Sequence, residues 1–317
     1  MAGAGAIGQW LGARLLSAGH DVTLLLRPRH KEAIDHGGLH VRGRTDFHGR
    51  PACVTRAEDA HGPFDAVFLT CKAYDTLRTG ALVVPLVAED GVLASLQNGL
   101  GNGEKLAGLA GRGRVAVCLT SHGIMLEAPG HVFHAGTGPT HVGPASPAAA
   151  EAAHRAESLL RDAGLEPVWH VDITAAVWTK AAVNAGLNPT AALAGVRNGA
   201  VLHDAALLAR AEALVDEVYA LSRAAGVPLP DVRASLRATL AATEDNKCSM
   251  LQDVEARRPT EIEQITGWFA RLGRRLGFPM YASEDVLRDV KALEASYLGE
   301  DLSLRLTREE AEAWPGA

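Results

Sequence analysis

Gly3-Ala4-Gly5-Ala6-Ile7-Gly8, followed by a helical segment Gln9–Ala18 and then by Asp21–Arg27 (DVTLLLR), is the stretch that decides the first half of the chain. A G-x-G-x-x-G run opening a helix fits a dinucleotide. The first glycine makes the tight turn, the second lets backbone approach a pyrophosphate, and the third lets the helix pack close to a sheet. The helix N-terminus adds unpaired N–H groups and a partial positive charge. In a chain with 33 glycines the pattern alone could be chance, but a helix ending at Gly19-His20 and a strand after it supply the required context. One element is absent. Such a turn follows a buried strand of about five or six residues, and only Met1 and Ala2 precede it. Losing several buried branched side chains, at about 1.5–3 kcal/mol each, would remove much of a typical ~5–15 kcal/mol stability. The expectation is a truncated first strand and a natural protein with a few more apolar residues in front; the intact mass of the native protein tests it.

The next strand ends at Arg27, nineteen residues after Gly8. An enzyme using NAD places Asp or Glu there for the ribose hydroxyls, whereas Arg pairs with a 2′-phosphate. Arg29 and Lys31 add positive charge. The competing reading is a solvated basic loop; the position after the glycine turn favours NADP(H).

Working outward, Asp65–Lys72 (DAVFLTCK), Gly91–Leu96 (GVLASL) and Arg114–Thr120 (RVAVCLT) are further short apolar runs separated by helical segments. Strands buried on both faces and alternating with helices make a parallel sheet. Gly130–Gly143 reads as two short strands around a glycine turn, followed by a helix at about Pro147–Ala163 and a last strand at about Glu166–Val171. Beyond Asp172 the strand pattern stops. Ala/Leu-rich periodic segments at about 173–193, 200–225, 230–256, 260–276 and 282–298 read as helices. The expected fold is therefore α/β, a Rossmann-type domain over residues 1–171 followed by an all-α domain over residues 172–317.

In the helical half, Lys180, Asn184 and Asn188 stand at i, i+4 and i+8 in WTKAAVNAGLNP, on one helix face. The residues around them are mostly Ala, Val and Leu, so the helix is expected to be largely buried and its polar groups to need partners. A polar ligand in an interdomain cleft would supply them; a solvent-facing stripe is the equally weighted alternative. Pro189 disfavours helical geometry at Asn188 and is expected to bend the helix there. Ser249 and Asp253 share an i, i+4 spacing, and Thr260-Glu261-Ile262-Glu263 matches a capping box, so Glu261 has a bland reading as a first-turn residue. Lys72 and Asn98 end strand segments, where open parallel sheets bind ligands. Asn98-Gly99 is equally an ordinary turn, and a lone Lys after a strand is usually solvated. His122 follows another strand, but a lone His is a poor catalytic candidate.

Composition narrows the function classes. A net charge of −6 without a long basic run argues against nucleic acid or an anionic membrane as partner. No segment approaches the ~18 apolar residues of a membrane span, and there is no secretory signal. Four scattered cysteines, Cys53, Cys71, Cys118 and Cys248, fit reduced thiols in a cytoplasm rather than a disulfide framework, and no metal-ligand spacing occurs.

Taken together, GAGAIG, the CKA around Lys72, LQNG around Asn98, WTKAAVNAGLNPTAAL, RNG around Asn198 and SMLQDVEARRPTEIEQITG resemble the ketopantoate reductase (2-dehydropantoate 2-reductase) family, over about Gly3 to Tyr297. The resemblance implies a Rossmann domain, a helical domain and an active site in the cleft. It implies cofactor contacts at Gly3–Gly8, Arg27, Lys72, Asn98 and Glu261, with Gly123 near another. It implies Lys180 as the general acid, and substrate contacts at Asn98, Asn184, Asn188, Asn198 and Ser249. The implied reaction is NADPH-dependent reduction of ketopantoate, or a related 2-oxo acid, to (R)-pantoate in pantothenate biosynthesis, by a cytoplasmic monomer or homodimer without a metal. A 3-hydroxyacid dehydrogenase or imine reductase shares the K-x-x-x-N helix and is the nearest rival. A non-catalytic NADP(H)-binding sensor is the rival of another class.

Overall fold

A computed structural model describes residues 1–299. The chain divides into two compact units, one of Met1–Gln97 with Asn102–Ile173, the other of Asn98–Gly101 with Thr174 onward.

In chain order the first unit contains α1 (Ala6–Ser17), β1 (Thr23–Leu25), α2 (Pro28–Gly37), β2 (Leu39–Gly43), β3 (Phe47–Gly49), β4 (Ala52–Val54), β5 (Phe64–Leu69), α3 (Thr76–Val83), β6 (Val87–Ser95), α4 (Asn102–Ala110), β7 (Val115–Thr120), β8 (Gly123–Ala128), β9 (His131–Gly136), β10 (Thr140–Pro144), α5 (Ala150–Asp162) and β11 (Pro167–Trp169). The main sheet has β4-β1 on one side and β5-β6-β7-β10-β11 on the other. It is parallel except where β10 runs against β7.

Ala2 joins the two parts through parallel bridges to Leu25 and Leu69. The Ala2 N–H donates to the Phe68 carbonyl at 2.8 Å, Thr70 N–H donates to Ala2 at 2.9 Å, and Leu25 N–H donates to Met1 at 2.9 Å. The first strand position is thus short, a single bridged residue within Met1–Gly3, with ladder bonds on both sides that keep the sheet continuous. Gly3 and Ala4 N–H then donate to the Leu25 carbonyl, which leads the chain from this strand position into the turn.

A second sheet, ordered β3-β2-β9-β8, escapes the sequence reading. The two strands expected around a glycine turn in Gly130–Gly143 exist, but they do not pair as a hairpin. β9 pairs with β2 and β8, while β10 pairs with β7 and β11. Behind the glycine turn, Trp10, Leu11, Ala13 and Leu15 of α1 are buried in the core with Leu24, Ile34, Phe68, Val92 and Ala94.

The second unit is helical among its described residues: α6 (Thr174–Ala194), α7 (Asn198–His203), α8 (Ala205–Ala224), α9 (Val232–Ala242), α10 (Ser249–Glu255), α11 (Thr266–Leu276) and α12 (Tyr281–Leu298). Three expected helices are corrected. Residues 200–225 divide at Asp204, whose carboxylate caps α8 by accepting the N–H groups of Ala206 and Leu207. Residues 230–256 divide into α9 and α10, and the Cys248 thiol accepts Leu251 N–H at the start of α10.

The helix expected from Thr260 begins at Thr266. Thr260 N–H and hydroxyl both donate to the Glu294 carboxylate at 2.7 Å, and Glu263 is held by Arg271 rather than reaching back to a cap. Pro189 does not interrupt α6, which continues to Ala194. This helix packs against α7, α8, α9, α10 and α12, and this enclosure keeps it helical past the proline.

Candidate active site

The glycine turn meets each geometric demand of a phosphate cradle. Gly3 has φ +74°, and a Cβ there would fall 2.4 Å from Cys71 Cβ and 2.8 Å from its Cα. A Cβ on Gly8 would fall 2.3 Å from Thr70 Oγ1, so α1 sits hard against the end of β5. At Gly5 a Cβ would meet nothing nearer than the Gly3 carbonyl at 4.0 Å. Open space therefore lies over the one glycine whose backbone must face the ligand. No side chain caps α1 and no acid stands in its first turn, which leaves the positive end of the helix for an anion. Gly3, Ala4, Gly5, Ala6, Ile7 and Gly8 thus form a turn that fits the phosphates of a dinucleotide.

Arg27 is exposed and precedes α2, with Pro28 at the first helical position. It sits two residues past β1, the neighbour of the Met1–Gly3 segment. Buried His30 has a pKa lowered by burial and then by Arg29 and Arg27, so the α2 start is a positive field. Lys31 is turned to Asp35, one helical turn on, and adds less to that field than expected. Lys72 is half-buried just beyond β5. Its neighbour Cys71 has its carbonyl held by the Gln97 amide at 3.1 Å, and the same amide donates to Thr76 Oγ1 at 2.9 Å. Gln97 thus fixes the backbone against which Gly3 packs; a Gln in a strand-end segment gave no sign of this.

In the second unit, Asn98 leads Asn98–Gly101 into the helical core. Leu100 N–H donates to the Gln264 carbonyl at 3.1 Å. A Cβ on Gly99 (φ +85°) would strike that carbonyl at 2.7 Å. This brings Asn98 to Lys180, whose Nζ donates to Asn98 Oδ1 at 2.9 Å across 82 residues of sequence. Lys180 is half-buried on α6, and burial lowers its pKa to about 8 while the Glu261 carboxylate pulls the other way. Glu261 is buried in the turn before α11, five residues ahead of it, so its reading as a first-turn dipole residue is corrected.

Asn184 is half-buried and Asn188 buried, so the face they share with Lys180 is not a solvent-facing stripe. Asn198 is buried at the start of α7. Its amide donates to Thr243 Oγ1 at 2.8 Å, and its Oδ1 is buried without a partner. Ser249 is exposed at the first position of α10. Gly123 opens β8 in the first unit. His122, before it, is not the lone histidine of the sequence reading: its Nδ1 lies 3.0 Å from His134 Nε2. A separation of twelve positions in the sequence hid the pair.

A cradle for a dinucleotide and a half-buried, acid-backed lysine are the features of a nucleotide-dependent oxidoreductase. Comparison with known proteins gives the family. A model described as "Ketopantoate reductase PanE/ApbA" matches residues 1–147, and its C-terminal counterpart matches residues 172–294. The 2-dehydropantoate 2-reductase of Archaeoglobus fulgidus is 35% identical over 92% of this chain and 96% of its own length. That of Pyrococcus horikoshii is 36% identical over 84% of this chain and 87% of its own. The crystal structure of 2-dehydropantoate 2-reductase from Geobacter metallireducens superposes with a TM-score of 0.85 at 30% identity, covering 92% of this chain and 98% of that one. The chain belongs to the ketopantoate reductase family, and with it to the oxidoreductases. No helix among the described residues is long and apolar enough to cross a membrane.

Proposed function

We propose that this enzyme reduces 2-dehydropantoate (ketopantoate), or a closely related 2-oxo acid, to the 2-hydroxy acid with NADPH, yielding (R)-pantoate for pantothenate biosynthesis in the cytoplasm. The observation that carries the reading is Lys180: a half-buried ammonium held by Asn98, faced by Glu261, with its pKa brought to about 8. The bound dinucleotide supplies the hydride. Lys180 hydrogen-bonds the C2 carbonyl oxygen and delivers a proton there as negative charge develops. Asn98 aims the ammonium. Glu261 keeps the lysine charged. Asn184 and Asn188 present amides beside it for the substrate's oxygens. Asn198 brings an acceptor that lacks a protein donor, suited to a substrate hydroxyl, and Ser249 donates to the carboxylate. Gly3–Gly8 hold the pyrophosphate, Arg27 the 2′-phosphate, and Lys72 further cofactor oxygens.

The test follows NADPH oxidation with ketopantoate against a panel of other 2-oxo acids, repeated with NADH. Ketopantoate with NADPH should give the highest kcat/KM. Lys180→Ala should cost roughly 10²–10⁴ in kcat, and full kcat in that variant would discard the assignment. Saturable NADPH binding without turnover of any 2-oxo acid would instead support a sensor.

A further inference from the structure

A chain of hydrogen bonds behind the glycine turn defines the protonation of two histidines. Trp10 Nε1 donates to Thr45 Oγ1 at 3.3 Å, and Arg14 Nη1 donates to the same oxygen at 3.1 Å. Both groups are donors only, so they use the two lone pairs of the hydroxyl. The remaining contact of Thr45 Oγ1 is His134 Nδ1 at 2.8 Å. The hydroxyl proton must point there, and Nδ1 must accept it. Neutral His134 then carries its proton on Nε2, which faces the Gly136 carbonyl at 3.1 Å and His122 Nδ1 at 3.0 Å. His122 Nδ1 must accept in turn, so the proton of His122 sits on Nε2. Burial, followed by His134 and Arg14, lowers the His122 pKa to about 4, and burial first of all lowers that of His134. Both rings are therefore neutral near pH 7.

The relay ends at an N–H whose direction of donation is preset. His122 stands two residues past the C-terminal end of β7, the end of a parallel sheet at which ligands bind. Its ring packs on Trp10 of α1, with centroids 4.9 Å apart, and α1 is the helix that leaves the glycine turn. His122 is half-buried, and Gly123 follows it. We propose that His122 orients the cofactor, its Nε2–H donating to an acceptor oxygen of the bound dinucleotide, with its tautomer held by the Trp10/Arg14–Thr45–His134 relay. The inference rests on the dinucleotide reading and deepens it.

Long-range ¹H–¹⁵N correlation of the imidazole nitrogens at pH 7 reads the tautomers directly. Both His122 and His134 should be Nε2–H forms, and NADPH should shift the His122 Nε2–H signal. An Nδ1–H form or an imidazolium at either residue, or an unmoved His122 signal in the NADPH-saturated protein, overturns the proposal. Binding of NADPH to His122→Gln and His122→Asn separates the role from simple packing. The Gln amide nitrogen reaches the Nε2 position, whereas the Asn amide reaches only that of Nδ1. Gln should stay within about threefold of the wild-type Kd and Asn should weaken by about tenfold, the worth of one hydrogen bond. Equal binding by wild type and His122→Asn overturns the inference while leaving the cofactor site standing. No binding of NADPH or NADH by wild type overturns both. Should the His122 variants fold poorly, Thr45→Val cuts the relay with His122 in place. The Gly136 carbonyl keeps the proton on His134 Nε2, but the Nδ1 resonance should shift because its hydroxyl donor is gone; an unmoved Nδ1 resonance overturns the relay.

Discussion

Lys180, as the proposed acid, would be effective because its ammonium is poised near the pH at which it works. Its pKa of about 8 is the result of two opposed influences, burial lowering it and Glu261 raising it. Since the protonated form donates, kcat should fall as pH rises through about 8. Glu261→Gln removes the raising influence, so the alkaline limb of the kcat profile should move to lower pH; a limb that stays put or moves up would separate Glu261 from Lys180. The i, i+4, i+8 spacing made the Lys180, Asn184 and Asn188 face legible, because a helix repeats every turn. The Asn98 partner was not legible in this role, because a hydrogen bond across 82 residues is set by tertiary folding. His122 was passed over for the same reason: its partner His134 comes from another strand.

At the scale of elements, the glycine turn separates two requirements that the motif merges. Gly3→Ala meets both a positive φ and the Cys71 backbone, and should lower stability by several kcal/mol, on the order of 1–3 for the strained φ with the clash added, measured by urea unfolding. Gly5→Ala has room in the protein itself and should leave the unfolding midpoint nearly unchanged. Its methyl intrudes on the space facing the ligand, so NADPH binding should weaken at least tenfold, about 1.4 kcal/mol or more. Equal loss of stability in both variants would contradict this division. Asp204→Ala removes the cap of α8 and should cost about 0.5–2 kcal/mol by the same unfolding measurement. Helix existence was readable from apolar periodicity. Helix limits were not, because they turned on side chains placed by distant partners: the Thr260 capping box was taken by Glu294, and Pro189 was carried through by the packing around α6.

For the whole molecule, the alternation of strand and helix in the first half was enough to indicate a parallel sheet. The small sheet β3-β2-β9-β8 was invisible, since β2, β3 and β9 intersperse histidines, glycines and an arginine among few apolar residues, and the apolar run of β8 is only Ile124-Met125-Leu126. Choice of cofactor is a property of the chain at this scale, because it compares two complete dinucleotides. Arg27→Ala should reduce the preference for NADPH over NADH, as the ratio of kcat/KM values, by about ten- to a hundredfold, the worth of charge-assisted hydrogen bonds to a phosphate. An unchanged ratio would move the 2′-phosphate contact elsewhere.

The four residues Asn98–Gly101 belong with the helices although they are encoded amid the strands. Splitting the gene at the apparent junction near residue 174 would therefore not yield two whole modules. A fragment starting there would lack the Asn98 acceptor for Lys180 and the Leu100 bond to Gln264. A chimera taking its helical half from one relative and its first half from another would inherit this loop from the wrong parent, so productive recombination in this family needs a second crossover flanking the Asn-Gly turn.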